Sequence, residues 1–420
     1  MDHPVLQPET PLKKERIVWL DQLKGIAFFF VILGHLDINS TLLSWICSFH
    51  MPLFFFATGF NFKIEKLAET KPFDFFKRLA LRLLVPYVWM QLLCMVLRFV
   101  QKTVLQQKEV PAALYMRGIV RGHSRLAEAP SNPLYFVLLL FLAEVLLFLL
   151  IKLTKGRRLP LFALTFALLP LSLFTEWLRL PWHLNVAPAV ACLILCGNAL
   201  GRLYRANEEK LRTLSWPKTL GIALGLLAVG AAVWYFNGRT SIHGNHYGKD
   251  FTMALLTALA TSTALALLTM KLPKLSWLNL AGQNTLLFMG LHKPMLLCME
   301  AMFPAQKKTA LFIGCAAVLC FALLLPVTLW FRRFAPFVLG VTSDFSDTKI
   351  KIGQALCVIG ATCVPYLYAL HHLKSGLLVS TPLYCAVSAA AYLVICAALW
   401  FALRRFVRFP FLPQNKEQTV

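Results

Sequence analysis

The sequence predicts an all-α polytopic membrane protein, and three features of its 420 residues exclude an ordinary soluble fold. Hydrophobic residues make up 58% of the chain and charged residues only 15%, whereas a typical soluble protein carries about 25% charged residues. Apolar stretches of about 20 residues, the length of helix that crosses a bilayer, recur from end to end. They lack the alternating pattern of membrane barrel strands, so the spans are predicted to be helical.

The apolar stretches predict twelve spans in three regions of the chain. A cytoplasmic N-terminal segment covers residues 1–16, a ten-helix core covers residues 17–331, and residues 332–420 hold a C-terminal helix pair and a cytoplasmic tail. The predicted spans are 17–37, 42–62, 80–100, 134–153, 159–174, 184–201, 219–236, 251–270, 280–303, 310–331, 352–370 and 382–403. The segment 101–133 is too polar to insert, which predicts a surface lid or an amphipathic stretch.

The positive charges predict the topology of these spans. If the N-terminus lies inside, alternation places most of the 42 Lys and Arg residues in cytoplasmic segments, as the positive-inside rule requires. Lys13, Lys14 and Arg16 then precede an uncleaved first span, and both chain ends are cytoplasmic. Because the cations lie in short loops rather than in a basic stripe with interleaved aromatics, the net charge of +23 does not indicate a nucleic-acid partner. The 11 cysteines show no zinc-ligand spacing, so no metal is predicted.

The first span carries the densest set of costly polar residues, namely Asp21, Lys24 and His35. Eleven residues bring an α-helix back to within about 20°, so Lys24 and His35 are predicted to share a face, about 16 Å apart along the axis. Asp21 lies three residues before Lys24 and can pair with it. The alternative is a snorkelling anchor pair at the start of the helix, together with a histidine that only packs in the core.

Further polar residues lie in or near later spans. The second span carries His50, which can share a cavity with His35 if the first two spans form an antiparallel hairpin. Glu144 in the fourth span is another costly charge, to which the sequence assigns no role. His243 and His246 have only Asp250 nearby as a further ligand and predict a polar loop rather than a metal site.

The first two spans resemble the opening of the acyltransferase-3 family of membrane O-acyltransferases. Asp-x-x-Lys-Gly is followed by an apolar run and Gly-His, and the family hallmark of Arg or Lys, ten residues and His falls on Lys24 and His35. The stretch SFHMPLFFFATGF in the second span resembles the fucose 4-O-acetylase-like branch of this family, as does the LPWHLN stretch that begins at Leu180.

Three later features extend the resemblance over residues 17–331. Arg78 and Arg82 resemble the basic start of the family's third helix, and Gly-Gln-Asn-Thr followed by His292 resembles its Gly-x-x-Ser-Leu...His element. Thr285 stands where Ser is common in the family, and the two C-terminal spans lie beyond its ten-helix core.

The resemblance implies an O-acyltransferase, and specifically an O-acetyltransferase, that moves an acyl group from cytoplasmic acyl-CoA (acetyl-CoA) to a hydroxyl of a cell-surface or lipid-linked glycan. A hydroxyl must lose its proton as it attacks a thioester, which assigns His35 the role of general base. Asp21 and Lys24 would support this chemistry electrostatically. The basic cluster Lys77, Arg78 and Arg82 is predicted to bind the phosphates of CoA, with plain positive-inside anchoring as the alternative.

The predicted substrate-binding residues are His50, His292, Trp182, Asn185 and Asn284, with interhelical packing and interfacial anchoring as alternatives. The competing function is a proton-coupled transporter that uses Asp21, Lys24 and His35 as a relay. Inverted repeats would favour transport, and none is evident in the sequence. The predicted partners are membrane lipid and the acceptor glycan, in a bacterial inner membrane or, alternatively, a eukaryotic secretory membrane.

Overall fold

The computed structural model describes residues 16–104, 112–122, 132–175, 177–178 and 180–339, and its regular elements there are helices apart from one isolated β-bridge. The α-helices are α1 (Val18–Leu33), α2 (Ser40–Phe60), α3 (Ile64–Glu69), α4 (Pro72–Val104), α5 (Ala112–Arg121), α6 (Tyr135–Leu153), α7 (Arg158–Ala167), α8 (Leu169–Leu173), α9 (Ala187–Ala206), α10 (Glu208–Thr213), α11 (Trp216–Asn237), α12 (Phe251–Met270), α13 (Ser276–Gln283), α14 (Thr285–Met302) and α15 (Ala310–Phe334). Short 3-10 helices cover Asn132–Leu134, Pro181–Val186 and Pro336–Leu339.

Seven helical stretches in the described part of the chain are long and apolar enough to cross a membrane. They are Ser40–Phe60, Pro72–Arg98, Asn132–Leu153, Pro181–Ala206, Trp216–Asn237, Phe251–Met270 and Ala310–Arg333. This confirms the prediction of an all-α polytopic membrane protein. The C-terminal spans predicted at 352–370 and 382–403, and nearly all of the N-terminal segment, lie outside the described residues.

Several helix bounds differ from the predicted spans. The first helix has 16 residues and ends at Leu33, so His35 lies in the turn that follows it rather than on its surface. The prediction that Lys24 and His35 share one face of the first helix is therefore wrong, because His35 lies beyond its last turn. The predicted fifth span consists of two short helices that meet at Leu168, because Pro170 lacks the N–H that would continue the hydrogen-bond ladder.

The central helices approach closely at glycines. A Cβ atom at Gly59 in α2 would lie 1.8 Å from the carbonyl oxygen of Ile194 in α9, and one at Gly197 would lie 2.3 Å from the carbonyl oxygen of Phe56. Small residues at these positions let two membrane helices pack backbone to backbone. This packing fixes α2, which carries His50, against α9.

The polar segment between α4 and α6 contains a docked helix, α5. The Tyr87 hydroxyl in α4 donates to the carbonyl oxygen of Ile119 over 2.7 Å, and the Trp182 indole nitrogen donates to that of Val120, also over 2.7 Å. The segment predicted as a lid or amphipathic stretch thus includes a helix held against neighbouring elements. Its residues 105–111 and 123–131 lie outside the described residues.

Candidate functional site

Several histidines converge on one cavity of about 270 Å³, here called the histidine cavity. It lies beside the N-terminal half of α2, the turn after α1, the start of α6 and the loop between α11 and α12. The lining residues are Val31, Gly34, His35, Cys47, His50, Met51, Asn132, Pro133, Tyr135, Ser241, Ile242, His243 and Met289. The structure therefore brings His35 and His50 together, as the hairpin of the first two spans would require.

His35 is held from behind by α14. Its ring centroid lies 4.9 Å from that of His292, which is fully buried and also packs against the ring of Phe28 at 5.3 Å. The Lys293 ammonium lies 3.4 Å from the backbone carbonyl oxygen of His35 and donates to it. These contacts fix both the backbone and the ring of His35 at the edge of the cavity.

Two of the imidazole rings have a defined tautomer. Nδ1 of His50 lies 2.6 Å from the carbonyl oxygen of Ile46, and Nδ1 of His292 lies 2.9 Å from that of Phe288. Because a carbonyl only accepts hydrogen bonds, the proton is on Nδ1 in each ring, and the neutral rings present Nε2 as an acceptor. Nε2 of His292 has no hydrogen-bond partner among the described residues.

Aromatic rings from three separate segments meet at the histidine cavity, and two of them, Tyr135 and His243, line it. The ring centroid of His243 lies 4.6 Å from that of Tyr135 and 5.0 Å from that of His183, and Tyr135 lies 5.3 Å from His183. Sequence reasoning placed His243 in a polar loop and missed its position at the cavity. The only signal was a pair of histidines in one short loop, and the fold was needed to show which one faces inward.

A second cavity of about 340 Å³, here called the arginine cavity, adjoins the C-terminal end of α2. The lining residues are Asn61, Phe62, Lys63, Lys66, Leu67, Thr70, Phe75, Arg78, Leu79, Arg82 and Glu144. Four cations and one carboxylate therefore surround it. Arg78 and Arg82 belong to the predicted basic cluster, whereas Lys77 is exposed and does not line this cavity. All three lie inside α4, which begins at Pro72 rather than near residue 80.

Glu144, to which the sequence assigned no role, is the partner of Arg82. Nη2 of Arg82 donates to both carboxylate oxygens, with a distance of 2.6 Å to Oε1. The Glu144 side chain is only 4% exposed, whereas that of Arg82 is 58% exposed. The guanidinium thus neutralises a buried carboxylate with one nitrogen and leaves the rest of its surface open to the cavity.

The short helix α3 carries part of the wall of the arginine cavity and is tied down at two points. The Lys152 ammonium donates to the carbonyl oxygen of Ala68 over 2.6 Å, and the Arg158 guanidinium donates to the Glu65 carboxylate. The hydrogen bond from Arg158 lowers the pKa of Glu65 below its usual range. Lys63 and Lys66 are therefore presented by a fixed element.

Asp21 and Lys24 pair with each other on α1, with 2.6 Å between Oδ1 and Nζ. Neither residue lines the histidine cavity or the arginine cavity. Gly282 packs against this turn, since a Cβ atom there would lie 1.6 Å from the carbonyl oxygen of Asp21. The pair is thus separate from His35, although all three residues lie within residues 21–35 of the chain.

The other predicted substrate-binding residues bond to backbone carbonyls instead of facing the cavities. Trp182 bonds to α5, as described above, and Asn185 donates to the carbonyl oxygens of Thr175 and Leu178 over 2.8 and 3.1 Å. Asn284 donates to the carbonyl oxygen of Leu280 over 2.8 Å at the junction of α13 and α14. No cluster of three metal-ligating side chains occurs among the described residues.

Comparison with known proteins gives one positive result. A family model described as an acyltransferase domain matches residues 17–333, about three quarters of the chain. A search of curated proteins and a search of solved structures each return no match. The matched range includes α1 to α14, nearly all of α15, and every residue of both cavities.

Proposed function

Since the chain belongs to the acyltransferase family, we propose that it transfers an acyl group, specifically acetyl, from cytoplasmic acyl-CoA to a hydroxyl of a cell-surface or lipid-linked glycan. The observation that carries the proposal is the different chemical lining of the two cavities. One is lined by histidines and the other by four cations, and both adjoin α2. The glycan acceptor is part of this proposal. So are the similarity to the fucose 4-O-acetylase-like branch and the location in a bacterial inner membrane with a cytoplasmic N-terminus.

The arginine cavity is the proposed donor site. CoA carries phosphate groups, and guanidinium groups match phosphate oxygens in geometry as well as in charge. Arg78 and Arg82 would bind these phosphates, together with Lys63 and Lys66 from the neighbouring wall. Lys77 lies exposed nearby on α4 and would attract the donor from solution.

The histidine cavity is the proposed reaction site. The His35 imidazole takes the proton of the acceptor hydroxyl as its oxygen attacks the thioester carbonyl. The carbon–sulfur bond then breaks, an ester forms, and the CoA thiolate leaves and takes up the proton. His50, with Nε2 available as an acceptor, would orient the same hydroxyl, and the buried His292 would hold the ring of His35.

Met51 and Asn61 are the lining residues of the two cavities that lie nearest to each other along α2. They are ten positions apart, which is about 15 Å of helix. The extended thiol arm of CoA would have to cover this distance. The pair formed by Asp21 and Lys24 on α1 would contribute local charge along the arm rather than contact the reacting hydroxyl. The family match gives no support to the transporter alternative.

The test is acetyl transfer by the purified protein in lipid vesicles with radiolabelled acetyl-CoA and membrane glycans. His35→Ala should lower the transfer rate by about 10²- to 10⁴-fold, the usual contribution of a general base, without reducing membrane insertion. His246→Ala is the matched control, because His246 is exposed and does not line the cavity. Full transfer by the His35 variant would end its assignment as the base, and a wild-type protein that consumes no acetyl-CoA would refute the proposal.

A further inference from the structure

The histidine cavity also has a wall of residues to which the proposed acid–base chemistry assigns no role. Besides His35 and His50, the cavity is lined by the ring of Tyr135, the ring of His243 and the hydroxyl-bearing Ser241. The two rings meet edge to face, with an interplanar angle of 79°. A wall of aromatic rings with a few polar atoms is the usual lining of a small-molecule site.

The loop that carries His243 is a closed unit. The backbones of Ser241 and His246 exchange two hydrogen bonds of 2.6 and 2.9 Å, which close the loop at its base. Asn245 adopts a left-handed backbone conformation with φ of 54°, and its buried side chain donates to the carbonyl oxygen of Ser172 over 2.7 Å. The loop is therefore anchored to α8, and His243 is held at the cavity.

His183 supports this wall from behind. The residue is 3% exposed, and its backbone has φ of 57°, a left-handed conformation that is strained for a non-glycine residue. Trp182 before it has the same φ of 57°. Such a conformation persists only where the surrounding structure enforces it, and here it places the ring of His183 against those of Tyr135 and His243.

Size and charge limit what the histidine cavity accepts. Its volume of about 270 Å³ lies just below the range of about 300–1,000 Å³ typical for drug-sized ligands, which suits one sugar ring rather than an oligosaccharide. The described lining contains no Asp, Glu, Lys or Arg. The Lys293 ammonium is bonded to the backbone carbonyl oxygen of His35 and is not part of this lining. A carboxylate carried into the cavity would therefore lose its hydration without a lining cation to pair with, which is costly.

We propose that Tyr135 and His243 are the acceptor-recognition residues and that they hold a single uncharged sugar ring against His35 and His50. This inference rests on the proposed acyl transfer. The aromatic faces would pack against the apolar face of the sugar ring, and the imidazole of His243 and the hydroxyl of Ser241 would bond to its hydroxyls. The ring of His183 packs against the rings of both Tyr135 and His243.

The test uses the full-length protein in lipid vesicles, acetyl-CoA, and two matched probes, methyl β-D-glucopyranoside and methyl β-D-glucuronopyranoside. Wild type should acetylate the glucoside and leave the glucuronoside at least tenfold less acetylated. His243→Ala should raise the KM for the glucoside about tenfold while the KM for acetyl-CoA stays within twofold of wild type. His243→Gln should recover part of the loss, and His246→Ala, three residues along the same loop, should behave as wild type.

Each result bears on one statement. Equal acetylation of the two glycosides would overturn the uncharged acceptor, and an unchanged glucoside KM in His243→Ala would overturn recognition by this wall. Acetyl-CoA hydrolysis without transfer to the glucoside would overturn the inference and leave the proposed donor chemistry standing. If the wild-type protein neither hydrolysed acetyl-CoA nor transferred its acetyl group, the result would instead count against the proposed function itself. Parallel loss of hydrolysis and of glucoside binding in His243→Ala would assign the residue a structural role.

Discussion

The pair formed by Arg82 and Glu144 gives the sharpest test of the arginine cavity, because it separates structural support from donor binding. In Arg82→Met the Glu144 carboxylate, only 4% exposed, loses both of its hydrogen bonds to the guanidinium. Breaking a fully buried ion pair costs about 3–5 kcal/mol. Here the Arg82 side chain is 58% exposed and a cavity of about 340 Å³ adjoins the carboxylate. Water in the cavity can replace part of the lost hydrogen bonding to the carboxylate. We therefore expect the free energy of unfolding to fall by about 1–3 kcal/mol.

The double variant Arg82→Met/Glu144→Gln should recover most of this stability, since an amide needs no counter-charge. It should not recover donor binding. One charge-assisted hydrogen bond to phosphate is worth about 1.5–3 kcal/mol, and each 1.4 kcal/mol is about tenfold. The KM for acetyl-CoA is therefore expected to rise about 10- to 100-fold in both the single and the double variant. Stability is measured by denaturant titration in detergent micelles, and the KM by radiolabelled acetyl transfer.

The chain offers a control in the pair formed by Arg212 and Glu208. The pair lines neither cavity, and its side chains are 70% and 39% exposed. Exposed pairs contribute about 0–1 kcal/mol, so Arg212→Met/Glu208→Gln should leave both stability and the acetyl-CoA KM nearly unchanged. If the double variant at Arg82 restored the acetyl-CoA KM together with stability, Arg82 would serve only to neutralise Glu144, and the reasoning that assigns it to phosphate would be refuted.

Two further predictions concern helix packing and the placement of the base. Gly59→Ala should lower the free energy of unfolding by about 1–3 kcal/mol, because the added Cβ would meet the carbonyl oxygen of Ile194 at 1.8 Å; thermal melting in detergent checks this, and Gly225→Ala, with nothing within 4 Å of the new Cβ, should melt like wild type. Lys293→Met removes the 3.4 Å contact to the His35 carbonyl and should lower kcat about tenfold, the equivalent of one charge-assisted hydrogen bond, with the acetyl-CoA KM unchanged. Lys271→Met removes similar contacts to the carbonyl oxygens of Leu211 and Arg212 away from both cavities, so an equal loss of kcat there would contradict a specific role for Lys293.

The membrane class and most helices could be predicted from the sequence, because hydropathy over a window of about 20 residues measures the cost of insertion directly. The pairing of Asp21 with Lys24 could be predicted too, since both lie on one turn of a helix. The end of α1 was predicted too far along the chain, at Asp37. The apolar run stops at Leu33, and Gly34, a residue type common at helix C-termini, was the local signal that His35 lies beyond the helix.

The remaining parts of the site depend on contacts between segments far apart in sequence. Glu144 and Arg82 are 62 residues apart, and nothing near either residue identifies its partner. His243 is nearly 200 residues from His50, and its own loop reads as polar and exposed. Local patterns can nominate such residues as costly or unusual, but only the packing of α2 against α9 and α12 and of α4 against α6 brings them to a common cavity.

The segment of α2 between the two cavities explains how one helix could serve both. Met51–Phe60 is almost entirely buried and apolar, and the Phe55 ring lies 4.8 Å from that of Phe136 in α6. Such a layer excludes bulk water from this part of α2, and the proposed transfer requires the thiol arm to pass beside it without exposing the thioester to hydrolysis. Because Gly59 lets this same segment approach Ile194, the contact between α2 and α9 contributes both to the separation of the cavities and to the stability of the bundle.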